Sequence, residues 1–268
     1  MIFFRLLTLK ISYPILLLLC GSCSHWIGHF QSTDDYRQQI VGTELLEDDY
    51  VDHLASLSQD YLSTPDVSSV TLSKRSQFYL ENLYNKIVQN NELVFSKRQE
   101  PRFFIIKDET PFYFSLPKAQ FFFSSGLIRR YFRNEELLVA SLTHEIFKSH
   151  RAIYQKNTIV PLGYMQTERM LALTRVPVEV KVELNKLSFY AMRRAKRDAS
   201  AYLNWLQTQN KNTLDFSMQL GDARSISREE FMFKNFLVSE GQVGFDGLEF
   251  EENSSPGFYV LLRELERI

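Results

Sequence analysis

The sequence has little cysteine. Its 268 residues include only two, Cys20 and Cys23, and both lie close to the N-terminus. The rest of the chain has no thiol, which excludes a disulfide framework as the source of its stability. A domain formed from that remainder must be stabilised by packing alone.

An excess of charge of either sign is also missing. The chain has 31 basic and 32 acidic residues and a formal net charge of −1. Removal of residues 1–22 would take away Arg5 and Lys10, leaving 29 basic residues against the same 32 acidic ones, a net charge of −3. A chain so close to neutrality gives no electrostatic reason to expect a nucleic acid as its partner.

Glycine is scarce, whereas aromatic residues are abundant. There are 10 glycines against 22 phenylalanines and 13 tyrosines. This composition favours a helix-rich aromatic core over an all-β fold with many turns. We therefore predict an α+β fold that is mostly helical, with a small sheet of about three strands.

The apolar run near the N-terminus is short. Residues 11–20 carry no charge and follow Arg5 and Lys10, but a membrane-spanning helix needs about 20 apolar residues. A short apolar run of this kind, with basic residues before it, is typical of a secretory signal peptide. We assign residues 1–22 to this signal.

Cys23 follows Gly21 and Ser22, and this position resembles the modified cysteine of bacterial lipoproteins. The resemblance implies a lipid anchor at Cys23 and a location on the periplasmic side of the bacterial cell envelope. The alternatives are an ordinary secretory signal cleaved nearby and an uncleaved signal anchor.

The remaining chain is predicted to contain a tether and one domain. Residues 23–50 are polar and acidic with little periodicity, which predicts a tether, and residues 51–268 form the domain. Apolar residues at helical spacing predict its first helix in residues 73–90, before a short apolar strand at 102–107. Two aromatic runs within residues 111–125, separated by Pro117 and Lys118, predict a hairpin.

Two later helices complete the predicted core. Asn134, followed by two glutamates, is a good helix start, and the helix that it opens is apolar over much of its girth. A second, long helix is expected to run from about Glu183 through residue 207.

The first of these helices contains part of a zinc-binding motif. His144 and Glu145 begin an H-E-x-x-H pattern, in which two histidines four residues apart lie on one helix face. Here Lys148 stands at the fourth position and the next histidine is His150. His150 is about 240° around the helix from His144 and is expected to face solvent.

The segments around this motif resemble the HtpX-like and CAAX-protease-like family of zinc metallopeptidases. The resemblance covers residues 75–150 and extends weakly to about residue 206. The residues that match the family pattern are Pro111, Phe114, Leu116, Pro117, Gly126, Leu127, Glu136, Leu137, Leu142, His144 and Glu145.

This resemblance implies a zincin-like fold with a buried active-site helix and a long second helix. It also implies that His144 stands at a zinc-ligand position and that Glu145 stands at the position of the general base. The second ligand position holds Lys148. In the family, the later helix carries a ligand glutamate four residues before an aspartate; matching Asp198 to that aspartate puts Arg194 at the third ligand position.

An ammonium or guanidinium group donates hydrogen bonds and cannot bind a metal cation. We therefore predict a degenerate metallopeptidase domain without a zinc cofactor, in which Lys148 and Arg194 form an ion-paired cluster with Glu145 and Asp198. The predicted partner is a polypeptide or envelope protein, bound along an edge strand that contains Phe121, Phe122 and Phe123.

Two alternatives remain open. The chain could be an active zinc metalloendopeptidase with altered ligands, such as His53, Glu179 or Glu183, or it could be a structural or assembly lipoprotein. Lys148 and Glu145 could also be an ordinary surface pair near a helix C-terminus.

Overall fold

A computed structural model describes residues 47–95, 99–154, 163–241 and 254–267. These residues belong to one compact unit, Glu47–Ile268. The predicted signal peptide, Cys23 and residues 23–46 of the predicted tether lie outside the described residues.

Helices dominate the described part of the chain. They are α1 Glu47–Leu62, α2 Lys74–Gln89, α3 Ser125–Tyr131, α4 Glu135–His150, α5 Thr167–Thr174, α6 Val178–Arg194, α7 Ala201–Lys211, α8 Ser217–Leu220, α9 Ala223–Ser239 and α10 Pro256–Leu265. The prediction of a mostly helical α+β fold is confirmed. Across the described residues, no helix combines the length and apolar character needed to cross a membrane.

The sheet has four strands, one more than predicted. They are β1 Ser69–Val70, β2 Arg102–Ile106, β3 Tyr113–Leu116 and β4 Gln120–Ser124. Their order is β1-β2-β4-β3, with β4 parallel to β2 and antiparallel to β3. The additional strand, β1, has two residues, too few for any alternation of polar and apolar side chains to be visible in the sequence.

The first helix begins earlier than predicted. Helix α1 starts at Glu47, whereas the sequence places a tether up to residue 50 and the first helix at residue 73. Leu54, Leu57 and Tyr61 of α1 are buried. Their spacing of three and four residues forms a helical apolar face, which the acidic residues around it obscure.

The aromatic hairpin is present as predicted. Strands β3 and β4 pair with Leu116 opposite Gln120, and the turn contains Lys118 and Ala119, both with positive φ angles of 63° and 53°. Two successive residues in the left-handed region are typical of the tight turns that suit twisted hairpins.

Both faces of β4 are covered. The ring of Phe122 stacks on Phe114 with centroids 4.6 Å apart, on the face where Tyr61 of α1 packs edge-on. On the opposite face, Phe121 lies against Tyr84 of α2, and Phe123 lies against Phe132. Because side chains alternate between the faces, a strand buried on both faces is apolar throughout.

Helix α4 lies in the core, as its sequence indicates. Asn134 is its N-cap and accepts a hydrogen bond from the Leu137 amide. Residues 137–149 of the helix are all buried, including His144, Glu145 and Lys148. Helices α6 and α7 and strand β3 pack against it.

The predicted long second helix is divided in two. Helix α6 ends at Arg194, and α7 starts at Ala201. Lys196 between them has a φ of 54°, and the Arg197 amide donates to the Met192 carbonyl in a Schellman-type helix end. Glycine is the usual residue at such a left-handed position, so the sequence contains no signal for this break.

Candidate functional site

A small polar cavity of about 30 Å³ lies beside the middle of α4. Side chains from β3, from helices α4 to α9 and from the α5–α6 connection meet there. Those with titratable or charged groups are Tyr113, His144, Glu145, Lys148, Arg175, Lys181, Tyr202 and Glu229. A cavity of this size accommodates only one or two water-sized groups.

His144 is held through its Nδ1 atom. Nδ1 lies 2.8 Å from the Tyr202 hydroxyl and 3.1 Å from Asn185 Oδ1. The Tyr202 hydroxyl donates its own proton to Asn185 Oδ1 over 2.5 Å. Both neighbours of Nδ1 therefore act as acceptors toward it, from which we infer that Nδ1 carries the proton and Nε2 a lone pair.

Burial keeps His144 neutral. Removal of the ring from water lowers the pKa of His144 to about 4, and the nearby Lys148 and Lys181 act in the same direction. The Glu145 carboxylate opposes this shift without reversing it. His144 is therefore an uncharged imidazole at neutral pH.

Glu145 and Lys148 form an ion pair in the core. Lys148 Nζ lies 2.9 Å from Oε2 and 3.2 Å from Oε1 of Glu145, and the side chains are 6% and 2% exposed. Burial raises the pKa of Glu145, but Lys148 and His144 offset that effect, and the pKa ends below its usual value. The predicted pairing of these two residues is confirmed, and the interpretation as a surface pair is wrong.

A second buried carboxylate faces a second lysine. Glu229 of α9 lies 3.8 Å from Lys181 Nζ of α6, and it accepts a hydrogen bond of 2.7 Å from Asn185 Nδ2. Burial raises the pKa of Glu229, and this effect exceeds the opposing influence of Lys181 and Asn185. Asn185 thus links the two halves of the cluster, with its oxygen toward His144 and its nitrogen toward Glu229.

Arg194 and Asp198 do not belong to this cluster, contrary to prediction. Arg194 is exposed at the end of α6, nine residues beyond Asn185 and therefore about 13 Å further along the helix axis. Asp198 accepts hydrogen bonds from the backbone amide and the hydroxyl of Ser200, just before α7. Its role is to orient the start of that helix.

The prediction of an open strand at Phe121, Phe122 and Phe123 is also wrong. Strand β4 is hydrogen-bonded on both sides, to β2 and β3. The three phenylalanine side chains are almost fully buried between helices. They belong to the core of the domain.

His150 is partly buried, whereas the sequence predicts that it faces solvent. Its Nε2 lies 2.7 Å from the Tyr84 hydroxyl, and its ring packs on Phe95. Burial lowers the pKa of His150 to about 4. As expected from the helical geometry, it contributes nothing to the cavity beside His144.

The family resemblance implies a zinc site, but the side chains of this cluster do not fit zinc. Within the ranges described, His, Cys, Asp and Glu side chains form no group of three or more that could hold a metal ion. His144 Nε2 offers one donor, but Glu145 and Glu229 are engaged by lysines. Glu179 and Glu183, considered above as replacement ligands, pair with Arg228 and Lys186 near the surface.

Four residues of the cluster escaped sequence analysis. Lys181 and Asn185 are four residues apart, a spacing that places them on one helix face but is also common on surface helices. Tyr202 and Glu229 reach the cluster from separate helices through tertiary packing, and nothing in their local sequence indicates it.

Comparison with known proteins finds no matching family model and no curated protein similar to this chain.

Proposed function

We propose that this chain is a membrane-tethered, metallopeptidase-like protein of the bacterial cell envelope that binds polypeptide and does not carry out zinc-dependent proteolysis. In this proposal the compact domain is a degenerate zincin, and the buried cluster around His144 stands where a metal centre would be. The lipid anchor at Cys23 provides the attachment to the membrane.

One observation carries the proposal: two ammonium groups line the cavity next to His144. Lys148 lies one turn after His144, at the position of the second histidine of the motif. Lys181 lines the same cavity from α6. Each is close to a buried glutamate, so the local charge is balanced without a metal cation.

The geometry also supports a different match to the family pattern. The family has a ligand glutamate four residues before an aspartate on the later helix. Lys181 and Asn185 have this spacing, and Asn185 contacts the Nδ1 of His144, where an orienting aspartate would lie. We therefore propose that Lys181, and not Arg194, corresponds to the third ligand position.

Chemistry at the cluster is correspondingly restricted. Glu145 would need a free carboxylate to take a proton from a nucleophilic water, but both of its oxygens lie within 3.2 Å of the Lys148 ammonium. Lys148 is therefore a structural counter-ion for the residue that occupies the general-base position.

Strand addition to the sheet is not supported as the mode of binding. The outer edge of β3 is occupied, because the Tyr113 amide donates to Gln219 Oε1 over 3.0 Å and every residue of β3 is buried. The other edge strand, β1, has two residues. Polypeptide binding therefore requires a different surface.

The test combines an activity assay with a binding assay. The purified full chain should not degrade casein, but it should bind unfolded envelope proteins saturably, as measured by fluorescence. Casein degradation that is abolished both by a chelator and by Glu145→Gln would contradict the proposal and establish the metalloprotease alternative. Absence of binding to any unfolded protein, with one stoichiometric folded partner in a pull-down, would favour an assembly lipoprotein.

A further inference from the structure

A groove of about 590 Å³ lies away from the His144 cavity, between α2 and the α6–α7 connection. The start of α4 and the residue before α10 also line it. Its lining includes three basic side chains and two asparagines from these segments: Lys86, Lys196, Arg197, Asn82 and Asn90.

Among the residues that the structure describes, Glu135 is the one carboxylate in the lining of this groove, and it is fully engaged. It accepts hydrogen bonds from the Tyr79 hydroxyl at 2.9 Å and from the amide and hydroxyl of Ser255 at 3.1 and 2.9 Å. Arg197 lies 3.6 Å away and also pairs with Glu136 at 2.8 Å. The carboxylates of Glu135 and Glu136 thus already have partners, namely the Arg197 guanidinium and neutral hydrogen-bond donors.

Lys86 and Lys196 are not matched in this way. Among the described residues, neither ammonium group has an ion pair or hydrogen bond, and both side chains are exposed at the groove. Lys196 also has the left-handed backbone conformation that glycine adopts at lower cost. A lysine at this position places a second positive charge opposite α2.

The polar side chains of α2 have a regular spacing. Asn82 and Lys86 of α2 and the C-cap residue Asn90 follow one another at intervals of four residues, which puts them about 6 Å apart along one helix face. The Asn90 side-chain amide donates to the Lys86 carbonyl over 2.6 Å, which leaves its Oδ1 atom as an acceptor. In an extended polypeptide, every second residue points the same way, at intervals of about 6.7 Å. Amide groups hydrogen-bond to peptide groups, and ammonium groups pair with carboxylates.

From these observations we propose that the groove binds an extended polypeptide segment with acidic side chains at alternate positions. Lys86 and Lys196 pair with the carboxylates from opposite walls, while the side chain of Asn82 and the Oδ1 atom of Asn90 hydrogen-bond to the peptide backbone. The inference rests on the proposed polypeptide-binding function and gives it a surface and a class of partner.

The probes are two labelled peptides, one with glutamate and one with glutamine at every second position. Their binding to the full chain is measured by fluorescence anisotropy at low and high salt. We expect saturable binding of the glutamate peptide, weakened by salt, and binding of the glutamine peptide about tenfold weaker. Equal binding of the two peptides, or no binding of the glutamate peptide, would overturn the inference.

Substitutions in the groove test whether the peptide binds there. Lys86→Gln combined with Lys196→Gly should weaken binding of the glutamate peptide about tenfold. Because glycine suits the left-handed position, the unfolding temperature of the Lys196→Gly variant should not fall, which excludes misfolding as the cause. Lys118→Gly is the matched control, since Lys118 is another left-handed lysine that pairs with Asp52, and neither residue lines this groove. Peptide binding to this variant should be unchanged.

The outcomes separate this inference from the proposed function. If unfolded envelope proteins bind the wild-type chain and the double variant equally well, the groove is not their site, although polypeptide binding stands. If they bind neither, the proposed function itself fails. If anionic phospholipid vesicles bind through Lys86 and Lys196 while the glutamate peptide does not, the groove is a lipid site and the inference is overturned.

Discussion

Lys148 Nζ lies 2.9 Å from Glu145 Oε2, and both side chains are buried in the centre of the domain. Neither charge could remain there without the other, because an isolated ion in the protein interior loses its hydration without compensation. The pair also supports the proposed loss of a zinc site, since Lys148 stands where the zinc motif requires a histidine.

Replacement of Lys148 alone should be strongly destabilising. Lys148→Met leaves the Glu145 carboxylate buried and unpaired, and we expect a loss of about 3 to 5 kcal/mol in the free energy of unfolding, measured by urea denaturation. Adding Glu145→Gln should recover much of this loss, because the uncompensated charge is then gone.

The matched control is Lys186, which pairs with Glu183 at the same three-residue spacing on the surface of α6. Lys186→Met should cost less than about 1 kcal/mol. Similar costs for the two lysine variants would show that Lys148 is not the counter-ion of a buried carboxylate.

Stability should decrease as the pH falls from about 6.5 to 4. Burial lowers the pKa values of His144 and His150 from 6.5 to about 4 in the folded chain, so the unfolded chain binds more protons in this range. The free energy of unfolding therefore rises with pH across this window, by up to about 3 kcal/mol for His144 and by less for the more exposed His150.

Glu229 opposes this trend in the upper part of the window, because its raised pKa lets the folded chain keep a proton that the unfolded chain has released. As the pH falls further, protonation of Glu145 removes more stability, because folding lowers its pKa. Urea denaturation at several pH values, with His144→Gln and His150→Gln as variants, checks the contribution of each ring. A histidine proton resonance of His144 that titrates near pH 6.5 in the folded chain would contradict this prediction.

Asn185 should be essential to the cluster. Asn185→Leu removes the hydrogen-bond partner of Glu229, Tyr202 and His144 together, and we expect a loss of about 2 to 4 kcal/mol, because buried polar groups are left unsatisfied. The control is Asn210, whose side-chain amide donates a comparable 2.6 Å hydrogen bond to Glu230 at a less buried site. Asn210→Leu should cost about 1 kcal/mol, and equal losses for the two variants would argue against a linked network around Asn185.

The phenylalanines of β4 should affect stability. Phe122 is fully buried, and Phe122→Ala should lower the free energy of unfolding by about 3 to 5 kcal/mol. Phe78, which is 64% exposed on α2, is the control, and Phe78→Ala should change it by less than about 0.5 kcal/mol. A Phe122 variant of normal stability that fails to bind polypeptide would restore the substrate-strand interpretation.

The sequence predicts the parts of the structure that depend on local signals. Asn134 marks the start of α4, Pro117 and Lys118 mark the hairpin, and the three-residue spacing of Glu145 and Lys148 makes their contact unavoidable on a helix. Each of these features is encoded within a few consecutive residues.

The remainder depends on contacts between distant segments. The end of α6 has a lysine where glycine would signal a break, so the sequence predicts one long helix. The assignment of Arg194 to the site depends on matching Asp198 to the family aspartate, and sequence spacing alone does not show which residues face His144. The approach of Glu229 to Asn185 joins two helices by packing. Likewise, β4 is central because β2 pairs with it in parallel, a choice that the hydrophobic pattern of the hairpin does not encode.

The most direct test of the central claim, that Lys148 and Lys181 replace metal ligands, is the zinc content of the purified chain by elemental analysis. We predict far less than stoichiometric zinc in the wild type, and a clear gain in the Lys148→His/Lys181→Glu variant, which restores the ligand types around His144. Near-stoichiometric zinc in the wild type that is lost in His144→Ala would contradict the claim.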